Sequence, residues 1–286
     1  MAIEVQAVSE GDVQRVQAFL RAHSETSMFL ASNLATYGPV LTDEFNSGNF
    51  KLLLEDGRVQ GVFCLARRGN VLAECGGRTE FAPVIVEACR REPLQIRGVV
   101  GEWQLADAIW QILLDAGDIE KVLLASRERL YRLMLGGVDV PRPDSSVRLL
   151  RASEFDAWQP LHTAFLQEEG LPIEGSDDHR RRNYAERAEA GFCWGLWQAD
   201  RLLAIGGLNA LHERTGQIGG VYTLPEKRRS GLATQLMESL IADCAGSRGL
   251  ERLILFTGEH NIAAQRLYES HGFEPIGEFA LLFGAR

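Results

Sequence analysis

No run of about 18 apolar side chains occurs anywhere in the 286 residues, so no transmembrane helix is predicted. Positive charge is also in deficit. The 30 Lys and Arg against 39 Asp and Glu leave a formal net charge of −9, which excludes the broad basic face needed for general binding to nucleic acid or a membrane surface. Cysteine is sparse and unpatterned: Cys64, Cys75, Cys89, Cys193 and Cys244 are odd in number and none stands in a Cys-x-x-Cys pair. Neither a disulfide framework nor a zinc site is indicated, and each cysteine reads as a small buried hydrophobe. His260 and His271 lack ligand partners at metal-binding spacing, so no metal is expected. Residues Met1 to Glu10 carry neither the basic flank nor the apolar run of a signal peptide, and a cytoplasmic location is expected.

What is present is ordinary for a folded globular chain: 45% hydrophobic and 24% charged residues. The length predicts two domains, and an internal repeat supports that division. Ser9-Glu10-Gly11-Asp12 opens an amphipathic helix, as does Ser153-Glu154-Phe155-Asp156. Leu54 to Val59 and Trp197 to Leu202 both read as strand, tight turn, strand, and Cys75-Gly76-Gly77 matches Ile218-Gly219-Gly220. These pairs are separated by about 143 or 144 residues. Gly101-Glu102 then matches Gly258-Glu259 at a spacing about 14 residues longer, so the first half lacks sequence between Gly77 and Gly101 that the second half has after Gly220. Between the halves, Gly136 to Ser146 has the Gly/Pro/Ser/Asp content of a linker. Domains are expected at 1–140 and 145–286.

In the second half, the pattern predicts a strand at Val147–Leu150, a helix over Glu154–Glu168, and then a polar stretch with His179-Arg180-Arg181-Arg182, read as a solvated face. Strands follow near Cys193–Gln198, Leu202–Asn209 and Gly216–Thr223, the last two joined by a turn at His212-Glu213-Arg214. A helix from Gly231 to Ala245, a strand at Arg252–Thr257, a helix at Asn261–Ser270 and a strand near Glu278–Phe283 complete a mixed α/β layer architecture. Trp194 and Trp197 alternate with polar positions along a strand, and at least one is expected in the core.

The chemistry concentrates where a strand runs into a basic loop, a glycine and a helix. Val221-Tyr222-Thr223 ends the strand, and Arg228-Arg229-Ser230-Gly231-Leu232-Ala233-Thr234 leads into the helix. The free N–H groups of a helix's first turn carry about half a positive charge and hold phosphate. Gly231 lets the backbone approach closely, Ala233 is small, and Arg228 and Arg229 add charge.

Two segments in this half, Val221 to Ala233 and Asn261-Ile262-Ala263-Ala264-Gln265-Arg266-Leu267-Tyr268-Glu269-Ser270-His271-Gly272-Phe273, resemble the cofactor-binding and C-terminal motifs of the GNAT acetyltransferase superfamily, in the family's order and spacing. The resemblance covers residues 147–286. It implies two GNAT-like domains, α/β in the α+β sense, each with a mixed, mostly antiparallel central sheet flanked by helices, the first of them degenerate. It also implies acetyl-CoA as co-substrate, with Val221, Tyr222 and Thr223 along the pantetheine arm, the amides from Arg229 to Thr234 around the pyrophosphate, and Asn261 at the pantetheine or thioester region. Tyr268 matches the tyrosine that protonates the leaving thiolate. A phenol with a pKa near 10 can donate to a thiolate whose conjugate acid lies at roughly 8.5 to 10.

Glu213, in the turn before the cofactor strand, is the expected general base, with Glu168 and Glu169 as alternatives by location, although a water chain suffices. In the first half, Gln111 takes the place of Tyr268, and Gly77 is followed by Arg78-Thr79-Glu80-Phe81-Ala82-Pro83, with no Arg-x-x-Gly-x-Ala. That half is expected to brace the other, the alternative being that it binds an acyl-CoA or a regulatory ligand. The acceptor is expected to be an amine of a small molecule or peptide. Two alternatives stand beside this: an enzyme similar to the mycothiol synthases, also tandem GNAT proteins, or a non-catalytic CoA-binding sensor.

Overall fold

A computed structural model describes residues 3–136 and 144–286. Most of the expected linker, 137–143, lies outside the described residues. The chain divides into two compact units: Met1–Leu130 with Phe256–His260 and Ile276–Arg286, and Tyr131–Leu255 with Asn261–Pro275.

In the first unit, β1 (Glu4–Ala7) is followed by α1 (Val13–Ala22) and α2 (Met28–Tyr37). Then come β2 (Gly48–Glu55), β3 (Arg58–Ala66), β4 (Asn70–Glu74), α3 (Ala82–Arg90), β5 (Gly98–Glu102), α4 (Trp103–Asp115) and β6 (Lys121–Met134), which crosses into the second unit after Leu130. β1, β2, β3 and β4 pair antiparallel in sequence, and β4 and β5 pair parallel. The second unit repeats that order. β7 (Val147–Leu149) is followed by α5 (Phe155–Glu168) and α6 (Asp177–Glu189), then β8 (Cys193–Gln198), β9 (Arg201–His212), β10 (Thr215–Thr223), α7 (Leu232–Ala245), β11 (Arg252–Gly258), α8 (Ile262–Ser270) and β12 (Glu274–Ala285). β7 to β10 are antiparallel and β10 with β11 is parallel. The internal repeat is therefore a repeat of topology, strand for strand and helix for helix.

Its last strand is used differently. Residues Phe279–Phe283 of β12 pair antiparallel with β5, so the end of the second repeat completes the sheet of the first unit. Ala280 and Leu282 from this strand enter the first unit's core beside Phe63, Val99 and Ile109.

The length deficit between Gly77 and Gly101 falls on the strand-to-helix crossover: α3 has 9 residues where α7 has 14, and β4 has 5 where β10 has 9. α6 occupies part of the stretch that the sequence leaves as polar and unassigned. It is capped by Ser176, whose hydroxyl accepts from His179 N at 3.2 Å, and buries only Tyr184 and Ala188. Arg180 pairs with Asp177 and Arg181 with Asp156 on its exposed side. A helix that polar has no apolar stripe to reveal its period.

All five cysteines are free and buried, and burial pushes the Cys89 and Cys244 thiols up to about 12, which leaves them inert as nucleophiles. Trp194 is core; Trp197 is half-buried beneath the Arg148 guanidinium. No helix among the described residues is long and apolar enough to cross a membrane.

Candidate active site

Two helical layers sandwich the second unit's sheet, and β10 feeds both. Ile218 joins Leu232, Leu236, Leu240 and Tyr268 in the core under α7 and α8, with Val221 packed against it. Tyr222 joins Phe155, Trp158, Leu161 and Tyr184 under α5 and α6. Val221 and Tyr222 face opposite sides as the pleat requires, whereas Ile218 and Tyr222, four residues apart, do so only because the strand is irregular between Gly219 and Tyr222.

β10 and β11 then part. Their parallel register runs Thr215 with Arg252, Gly216 with Leu253 and Gln217 with Ile254, and stops there. Beyond that rung, β10 is held by β9 alone, and its pairing skips from Gly219 with Gly207 to Tyr222 with Ile205. Gly220 and Val221 therefore face the single residue Gly206 as a β-bulge, with Gly220 in the left-handed region at φ 63°. A bulge turns backbone groups away from the ladder. Here it turns them beside the gap between two diverging strands.

The loop after β10 is a tight, concave turn. A short 3-10 turn over Pro225–Lys227 brings in Arg228, and the Ser230 hydroxyl donates to the Lys227 carbonyl at 2.5 Å. Arg229 and Gly231 both adopt positive φ, at 60° and 83°. Such left-handed residues interspersed in a turn aim successive N–H groups into a concave nest that suits anions. Gly231 is also the N-cap of α7. It offers no side chain to its first-turn amides, and a Cβ there would meet no atom within 4 Å. The amides of Leu232, Ala233 and Thr234 thus stay available at the positive end of a 14-residue helix. Arg229, Ser230, Gly231 and Thr234 are exposed, whereas Leu232 turns its side chain into the core.

Arg228 is placed differently from the expected phosphate contact. Its Nε donates to the Thr223 carbonyl at 3.1 Å, and its Nη2 donates to both oxygens of Glu168 at 3.0 and 2.7 Å, with the guanidinium 5.2 Å from the Tyr222 ring. The buried Tyr222 hydroxyl donates to the same carboxylate at 2.9 Å. Burial, and then the Glu168 carboxylate, push the Tyr222 phenol up, so it remains a donor. An exposed ion pair of this kind contributes at most about 1 kcal/mol, so its effect is to fix the end of α5 against β10.

Asn261 caps α8, accepting from Ala264 N at 3.2 Å, and its Nδ2 lies 3.4 Å from Glu169 Oε1. Tyr268, one residue type in a largely aliphatic core, is 7% exposed, with Phe273 and Tyr131 ring centroids at 6.0 and 6.3 Å.

Glu213 lies at the far end of β10 from the bulge. It sits at φ 50° in the hairpin turn between β9 and β10, at the end where β10 still pairs with β11. Eight residues of strand, roughly 25 Å at about 3.3 Å each, separate it from Val221. The acidic side chains tied to the splayed end are Glu168 and Glu169. Two polar strand residues escaped the sequence reading: Gln217, buried at the last β10–β11 rung, and Asn209, which bulges out of β9 opposite it. The available signal was a polar residue inside an otherwise apolar or glycine-rich strand.

Residues 155–273 match the acetyltransferase (GNAT) family. An uncharacterised N-acetyltransferase of Bacillus subtilis is 38% identical over 89 residues, covering 30% of this chain and 58% of that protein. A mycothiol acetyltransferase of Thermobispora bispora is 46% identical over 160 residues, covering 51% and 52%. The chain thus spans about half the length of the relatives it matches. Among solved structures, a tandem GNAT protein from the clavulanic acid biosynthesis pathway superposes with a TM-score of 0.55 over 99% of this chain and 98% of that one, at 15% identity, a likeness of fold.

Proposed function

We propose, from the match of residues 155–273 to the acetyltransferase (GNAT) family, that this chain transfers an acetyl group from acetyl-CoA to a primary amine of a small molecule or peptide by direct attack on the thioester. The observation that carries this reading is the parting of β10 from β11 at Gln217 and Ile254, with the Gly220–Val221 bulge beside it and the Arg229–Gly231 nest just beyond. One cradle suits a pyrophosphate and one backbone bend suits a carbonyl oxygen that gains negative charge.

Acetyl-CoA supplies an activated acyl carbon and a thiolate leaving group. The nest amides from Arg229 to Thr234 hold its phosphates, and the free edge of Val221 to Thr223 pairs with its amide-bearing arm. The N–H groups of the bulge donate to the thioester oxygen. Tyr268 gives its proton to sulfur as the C–S bond breaks. Asn261, fixed as the α8 cap with its Nδ2 toward Glu169, lines the same approach. Glu168 and Glu169 take over from Glu213 as the carboxylates near the acceptor, and Arg228 serves the site by clamping Glu168.

A second reading has its own support: the 46% identity over 160 residues to a mycothiol acetyltransferase favours an acceptor related to mycothiol. Thiol release from acetyl-CoA across a panel of amines, run beside Tyr268→Phe, tests the proposal. Turnover in the parent with a rate lowered roughly 10²-fold or more in the variant supports it. Acetyl-CoA binding without turnover on any amine favours a sensor instead.

A further inference from the structure

Arg180 and Arg181 pair with Asp177 and Asp156 on the outer side of α6, whereas Arg187, near the end of that helix, turns toward the sheet. Its Nη2 donates to the Leu208 carbonyl at 3.1 Å, and the guanidinium also reaches the Cys193 thiol. No carboxylate among the described residues forms an ion pair with it. A guanidinium has five N–H donors, and a half-buried one held by a carbonyl and a thiol is short of an anion. The sheet beneath it is bare. Leu208 points into the core under α7, so Gly207 presents to the α5 and α6 side. A Cβ on Gly207 would collide with the Phe192 carbonyl and lie 3.6 Å from Arg187 Nη2. Gly207 pairs across the ladder with Gly219, whose side-chain position is filled by the Asn209 amide, and Asn209 is exposed to solvent. The Gly220–Val221 bulge follows immediately. One strand spacing of about 4.8 Å and two residues of about 3.3 Å separate Gly207 from Val221, a span of roughly 8 Å.

We infer that Arg187 binds a carboxylate of the acceptor, so that the amine acetylated beside the bulge belongs to an amino acid. This rests on the acetyl-transfer reading and narrows its substrate class. The planar fork of a guanidinium meets both oxygens of a carboxylate at once, which fixes the direction of the ligand as well as its charge. A hydrogen bond of about 2.8 Å takes up part of the span at the guanidinium. What remains is a few covalent bonds of about 1.5 Å each, the separation of amine and carboxylate in α- to γ-amino acids. The glycine floor leaves room for that chain to lie along the sheet. His162 closes the same end: it stacks on Trp158 at 4.2 Å, and burial followed by the Arg187 charge pulls its pKa down to about 3. It therefore stays neutral beside the guanidinium and brings no carboxylate of its own to compete for it.

The test uses the full chain, acetyl-CoA and amines that differ by one carboxylate: alanine and β-alanine against ethylamine, and 4-aminobutyrate against propylamine. The parent should favour at least one acid over its matched amine by roughly a hundredfold in kcat/KM. Arg187→Met should raise KM for that acid roughly tenfold or more while the rate with the matched amine holds within about twofold. Arg187→Lys keeps the charge without the fork and should fall between, and it carries the comparison if Arg187→Met does not fold. A parent that acetylates acid and amine equally overturns the proposal, and so does a variant that loses both alike, the mark of a structural role. A second readout needs no turnover. In NMR titrations the His162 ring should protonate at higher pH with the favoured acid present than with its matched amine, because a bound carboxylate offsets the Arg187 charge. Identical titrations overturn the proposal. No thiol release with any amine, beside a His162 response to an acid, sinks the transfer reading and leaves the carboxylate site standing.

Discussion

Replacing Gly231 by alanine separates the cost of a backbone conformation from the cost of blocking an anion. The residue sits at φ 83° and ψ −3°, and its Cβ would meet nothing within 4 Å, so the substitution creates no clash in the protein itself. What remains is the left-handed conformation, worth about 1–2 kcal/mol for a residue with a Cβ. In a unit of this size, that lowers Tm by roughly 2–8 °C. Gly249, also in the second unit, has φ 60° and likewise nothing within 4 Å, but lies before β11, away from the nest. Gly249→Ala should therefore lose similar stability. The two variants should differ in calorimetric titration with acetyl-CoA: Gly249→Ala binds like the parent, whereas Gly231→Ala places a methyl over the α7 N-terminus and weakens binding about tenfold or more, at about 1.4 kcal/mol per factor of ten. Equal affinity in both, with matching losses in Tm, would refute the assignment of this loop as the phosphate cradle.

Other expectations are shorter. His162 stacks on Trp158 with ring centroids 4.2 Å apart, and burial followed by the Arg187 charge pulls its pKa down to about 3. With the folded value depressed, the contribution is complete above the unfolded value of about 6.5 and is lost as pH falls toward 3, by up to about 1.4 kcal/mol per unit; melting from pH 7 to 4 should show a shallower loss in His162→Phe. Glu74 is buried, accepting from the Thr26 hydroxyl and from Gly76 N, and burial pushes its carboxyl up despite those bonds. A raised acid stabilises at low pH and loses that contribution as pH rises, so Glu74→Gln should melt higher than the parent at pH 8 and no higher near pH 4. Glu213→Gln should leave kcat/KM unchanged within about twofold, because the hairpin turn is strand-lengths from the bulge; a loss of a hundredfold would restore it as base.

Periodicity and spacing made much of this architecture legible. The strand–loop–glycine–helix run at Val221 to Thr234 has local causes, a fixed strand end and a left-handed cap, and it folds as read. α6 was hidden because its many charged residues pay no regard to a buried stripe, and the single serine cap was the only local mark. For Arg228, sequence shows charge but not direction: Glu168, sixty residues away, holds the guanidinium. Glu213 shows the reverse case. It is near the cofactor strand in sequence and at the wrong end of it in space. The placement of Asn209 over Gly219 depends on a bulge in β9, and bulges have no pattern in composition.

The exchanged strand carries a consequence for biosynthesis. β5 stays an open edge on one side until residues 279–283 arrive to pair with it, and those follow the whole of the second repeat in the chain. The first unit's other strands emerge early, but its sheet cannot close until the second repeat has been translated. An unpaired, apolar edge strand invites association with other chains. A nascent or truncated chain ending before β12 should therefore call on chaperones or precipitate, even though nearly all of its N-terminal half has been synthesised.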